Sequence, residues 1–83
     1  MRHREAQLQA IRYAREQLRR LDPRWWLYQN PDGGFQVMEP DQITPDCDLY
    51  VTQPGTLLEV LREATEIAKL RLRSAEAVPH DSL

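Results

Sequence analysis

The chain has 83 residues, 41% hydrophobic and 29% charged, with a formal net charge of −2 and one cysteine, Cys47. That length suits one small domain, the composition is that of a folded globular protein, and a lone cysteine excludes an internal disulfide. No apolar run approaches the roughly 18–20 residues a membrane span needs, and the basic start Met1-Arg2-His3-Arg4-Glu5 precedes no apolar stretch, so the expectation is a cytoplasmic protein with neither membrane segment nor signal peptide.

Residues 4–21 are predicted to form a helix. Ile11, Ala14, Leu18 and Leu21 recur at spacings of three and four, flanked by Gln7 and Ala10. Arg4, Arg12, Arg15 and Arg19 gather on the opposite side, and Glu16 stands at i±4 from Arg12 and Arg20. Asp22-Pro23 stops the helix, because a residue before proline is driven out of the α region.

A β-hairpin follows. Trp25 to Gln29 and Phe35 to Glu39, rich in aromatic and β-branched residues, flank Asn30-Pro31-Asp32-Gly33-Gly34. Pro31 and Asp32 suit the centre of a type I turn, and Gly33 suits the positive-φ residue of a G1 bulge. That turn sets Gln29 opposite Phe35, Leu27 opposite Val37 and Trp26 opposite Met38. Trp25, Leu27, Phe35 and Val37 then share one face, and Trp26, Tyr28 and Met38 the other.

Glu39 to Asp48 reads as an acidic loop broken by Pro40 and Pro45, with Ile43 expected to tuck back as an anchor. Leu49 to Thr52 is a short third strand, with Leu49 and Val51 on one side and Tyr50 on the other. Thr56-Leu57-Leu58-Glu59 has the pattern of a capping box and opens a second helix running to about Ser74. Leu57, Val60, Leu61, Ala64, Ile67 and Ala68 form its apolar stripe, with Leu58 and Leu70 on the flanks.

The expected architecture is α+β in the order α-β-β-β-α, a three-stranded antiparallel sheet with two helices packed on one face. Residues 1–76 form a single domain, and 77–83 a disordered tail. The open face would present Trp26, Tyr28, Met38 and Tyr50, residue types enriched at protein interfaces. The bland alternative is that one or both tryptophans simply fill a small core.

Charge is sorted along the chain. Seven arginines against Glu5, Glu16 and Asp22 leave residues 1–24 basic. Residues 25–61 hold Asp32, Glu39, Asp41, Asp46, Asp48 and Glu59 with no lysine or arginine, and the remainder is balanced. Such sorting steers partners. Asp41, Asp46 and Asp48 are therefore candidate docking residues, and Arg12, Arg15 and Arg19 candidate anion-binding residues. Solvated surface is the plainer reading of each group.

The succession of elements resembles that of the double-stranded-RNA-binding domain, over a similar length. Domains of that kind place lysines at the start of the second helix. Here that position reads Thr56-Leu57-Leu58-Glu59-Val60-Leu61, with no basic residue before Arg62, so the likeness is architectural and no RNA site is carried over.

Catalysis finds no support in residue types. His3 and His80 lie near the ends, Cys47 stands between two aspartates that disfavour its thiolate, and Ser74 and Ser82 have no histidine in view. Asp41, Asp46 and Asp48 lack the spacing and central glycine of a calcium loop, and no cofactor motif is present.

The leading expectation is thus a non-enzymatic interaction module, functioning as an inhibitor, adaptor or small subunit. It would bind another protein through Trp26, Tyr28, Met38 and Tyr50, with the three loop aspartates steering the encounter. Analogy of size and charge extends to small inhibitors of phages and mobile elements. One alternative is a homodimeric structural or regulatory protein that buries its open faces, or Leu58 and Leu70, against a second copy. The other is a nucleic-acid binder using Arg12, Arg15 and Arg19.

Overall fold

The computed structural model describes residues 2–44 and 46–77, and side chains over 4–44 and 46–75. Its elements are α1 (Arg2–Leu21), β1 (Trp26–Gln29), β2 (Phe35–Pro40), β3 (Asp48–Tyr50) and α2 (Leu57–Ala77), the expected α-β-β-β-α order. The second helix continues to Ala77, three residues beyond the expected end. The predicted tail and His80 lie outside the described residues, save Ala77, which closes α2. No described helix is long and apolar enough to cross a membrane.

The strands form one antiparallel sheet in the order β1-β2-β3. Turn chemistry sets the hairpin register as expected: Trp26 pairs with Met38, Leu27 with Val37 and Gln29 with Phe35. Gly33 takes φ of +96°, a region closed to most side-chain-bearing residues, and its N–H donates to Asn30 O at 2.9 Å. The Asp32 carboxylate fastens the turn by accepting from Gly34 N at 2.9 Å.

The third strand departs from regular pairing. Tyr50 opposes Met38 and Gly55 opposes Phe35, so five chain steps face three, and two extra residues bulge out. Thr52 turns its hydroxyl inward, where Oγ1 accepts from Val37 N at 3.1 Å, and Gln36 Nε2 donates to Thr52 O at 3.1 Å. Both side chains are buried and both are satisfied, which is what a polar group away from water requires. Regular pairing is therefore limited to Asp48–Tyr50, and Leu49 lies half-exposed, not in the core.

Ala14 and Leu18 of α1 and Val60 and Ala64 of α2 pack on Trp25, Leu27, Phe35 and Val37. Ile11, Leu21, Leu57, Leu61, Ile67 and Ala68 border this cluster, as their periodicity predicts. Thr56 and Glu59 form the reciprocal cap: Glu59 N donates to Thr56 Oγ1 at 3.2 Å and Thr56 N to Glu59 Oε1 at 2.9 Å. Hydrogen bonding from Thr56, its backbone N–H first, holds the Glu59 carboxyl below its usual range. Glu16 makes no ion pair with Arg12 or Arg20 among the described residues.

Tyr13 and Gln17 share a groove with Leu58 and Leu61, whereas Arg20 and Leu21 share one with Ala68 and Leu72. The helices therefore run in the same direction. They are also staggered, since residues 4–10 of α1 and 70–75 of α2 are exposed throughout. The molecule measures 60 × 25 × 18 Å. Its radius of gyration of 15.1 Å exceeds the roughly 12 Å of a compact chain this long, so the stagger dominates its shape.

Candidate functional site

Side-chain alternation along the sheet leaves one face without a helix, and the register builds a row across it. Trp26, Met38 and Tyr50 stand directly opposite one another on β1, β2 and β3. Trp26 is 40% exposed, Tyr50 65% and Tyr28 36%, so the three rings face outward. The rings of Trp26 and Tyr28 meet edge to face with centroids 6.2 Å apart, a favoured aromatic geometry that steadies both side chains. Trp25, the neighbouring residue, points the other way and is 3% exposed, as strand alternation demands.

Met38 departs from expectation. It lies on the open face but is only 7% exposed. A central-strand position between two aromatic cross-strand partners accounts for that cover. Met38 thus sits covered between its two cross-strand partners and offers little contact area itself.

The loop after β2 adds charge to one end of this face. Asp48 pairs with Pro40, two positions along from the Met38–Tyr50 pair, and alternation puts it on the ring-bearing side. The loop is held by Asp41 N donating to Cys47 O and Cys47 N to Thr44 O, both at 2.9 Å, and by Ile43 N donating to Asp41 Oδ1 at 2.9 Å. Asp46 and Asp48 are exposed, and Cys47 is a free, exposed thiol. Ile43 does not anchor the loop: it is 90% exposed, because the Asp41 turn directs the chain outward at that point.

Arg12, Arg15 and Arg19 are exposed on α1. Arg15 and Arg19 come together with Trp25, Trp26 and Leu27 around a hollow of about 170 Å³, which puts two cations at the β1 edge of the ring row. Arg12 does not reach it.

A polar network on the helix side fixes where the sheet sits. Glu39 Oε1 accepts from Trp25 Nε1 at 2.9 Å. Arg71 of α2 donates to both Glu39 oxygens, at 2.7 and 3.0 Å, while its guanidinium lies 5.7 Å from the Trp25 ring centroid. The Arg71 bonds hold the Glu39 carboxyl below its usual range against the opposing effect of burial, and Arg71 is raised in return. Asp22 is lowered in the same way by Arg24, whose Nε and Nη2 donate to it at 3.2 and 2.9 Å. Sequence reasoning missed this network, since Arg71 and Glu39 are 32 residues apart. The one available signal was that Arg71 continues the spacing of the α2 apolar stripe, four residues after Ile67 and three after Ala68.

These two carboxylates are partly withdrawn from water, and both are ionised acceptors committed to arginine. Neither holds a proton to donate near neutral pH. Among the described residues, no three or more His, Cys, Asp or Glu side chains come close enough to hold a metal ion. Comparison with protein-family models, with curated proteins and with solved structures finds no match to this chain.

Proposed function

We propose that this chain is a non-enzymatic protein-interaction module, an inhibitor, adaptor or small subunit, that engages a protein partner through the open face of its sheet. The observation that carries the reading is the Trp26–Met38–Tyr50 row, in register across all three strands, with both outer rings exposed and the central thioether covered. Rings already steadied on a sheet lose little rotamer freedom on binding, which is why aromatic anchors dominate contact energetics.

The chemistry of the partner follows from the surroundings. Asp48 stands at one end of the row, Asp41 and Asp46 belong to the same loop, and residues 25–61 carry no lysine or arginine. A complementary surface would offer an apolar pocket beside basic side chains. The aspartates would speed encounter and set orientation more than they deepen affinity.

Affinity capture with the wild-type chain, Trp26→Ala and Tyr50→Ala tests this. A protein retained by wild type and lost by both variants, with circular dichroism unchanged, is the expected result. Equal retention by all three baits would remove the sheet face from the reading.

A further inference from the structure

A groove runs between the helices on a side to which no strand residue contributes. Tyr13 and Leu58 flank its first part, Leu21 and Ala68 its second, and Thr65 lines both. The second part encloses about 500 Å³, within the range of cavities that hold ligands or anchor side chains.

That hollow has an apolar floor and a cationic rim. Leu21, Trp25 and Ala68 supply the floor, and Arg20, Arg24, Lys69 and Arg71 the rim, with Asp22 the one acid in the lining. Asp22 and Glu39 fix Arg24 and Arg71 from behind. Each guanidinium uses two donors on its carboxylate and keeps three of its five free. Arg20 has no ion pair among the described residues.

The same molecule carries the complement. In the loop after β2, Ile43 is 90% exposed, with Asp41 and Asp46 close in the chain on either side. An isoleucine among acids matches an apolar hollow ringed by cations. The loop also starts close by: Pro40 to Ile43 share a neighbouring depression with Arg24 and Arg71. Knob and hollow thus adjoin at one end of the molecule, with two fixed arginines common to both. A twofold pair needs such adjacency, because one self-complementary patch must both give and receive.

We infer that two copies associate with Ile43 of each seated in the hollow between α1 and α2 of the other, and with Asp41 and Asp46 meeting Arg20 and Lys69. The ring row stays outside this contact, while the loop tip is taken up by it. Self-association therefore competes with a partner for the loop but not for Trp26 and Tyr50. The purified chain alone suffices to examine it, so the outcome is independent of whether any partner is found.

Sedimentation velocity over a concentration series, at about 50 mM and about 500 mM salt, should show a dimer that weakens as salt rises. Ile43→Asp should raise the dissociation constant at least about tenfold without changing the far-ultraviolet spectrum. Lys69→Glu and Asp46→Lys should each impair self-association, and mixing the two variants should restore a heterodimer, since both cross-contacts then pair opposite charges. A monomer at every concentration overturns the inference. So does a dimer indifferent to Ile43→Asp, or one dissolved by Trp26→Ala, which would mean that the sheet faces meet.

Discussion

Trp25 donates its indole hydrogen to Glu39 Oε1 at 2.9 Å, tying the segment after α1 to the fifth residue of β2. Arg71 grips the same carboxylate from α2, so three elements converge on one side chain. A domain of this size has a small core and little margin, and a junction of this kind carries a large share of it. Trp25→Phe keeps most of the ring and removes the donor, which should cost about 1–2 kcal/mol in urea unfolding. Trp25→Ala also empties core volume and should cost about 3–5 kcal/mol, enough to leave much of the chain unfolded.

The same junction makes stability depend on pH. Glu39 and Asp22 have folded-state pKa values below their unfolded ones, through their bonds to Arg71 and Arg24. The unfolded chain therefore takes up protons first on acidification. The stabilisation is fully present above the unfolded carboxyl values of about 4, and is lost as pH falls through the lower folded values. Urea midpoints should be level from neutral pH to about pH 5 and fall below that. Glu39→Gln should lower the plateau and flatten the acid decline. An unchanged acid slope in that variant would mean that Glu39 is not coupled to folding.

Thr52 should tolerate serine but not valine. Valine preserves the shape but removes the Oγ1 acceptor, stranding the Val37 N–H inside the protein. A cost of about 1–3 kcal/mol is expected for Thr52→Val and much less for Thr52→Ser, measured by thermal or urea unfolding. Hydrogen exchange at the Val37 amide should accelerate in the valine variant alone.

The two positions of the ring row that look alike in sequence should behave oppositely. Trp26→Ala removes an outward-facing ring, so stability should change by no more than about 1 kcal/mol while partner affinity falls by about thirtyfold or more. Met38→Ala removes a covered side chain and should cost about 2–5 kcal/mol. Losing the fold with Trp26→Ala would place that tryptophan in the core.

What the sequence made legible was local. Pro31, Asp32 and Gly33 specify the turn, and through it every cross-strand pair of the hairpin. Thr56 and Glu59 announce the start of α2 from a four-residue pattern. Periodicity identified the buried stripes of both helices. The features that escaped depend on distant partners. Nothing beside Arg71 in sequence points to Glu39, and the Thr52 bulge arises from Val37 and Gln36, some 15 residues away. Met38 and Ile43 show the same limit. Alternation gave the correct face for Met38, but its cover depends on flanking strands, and an apolar residue in a loop is not thereby an anchor.

The covered thioether of Met38 has a chemical consequence. Sulfoxidation would set a polar, chiral oxygen on a covered side chain between Trp26 and Tyr50. While the sheet holds its shape, the cover over Met38 slows that reaction. Peroxide sensitivity at this one atom thus becomes a gauge of whether the ring-bearing surface is assembled.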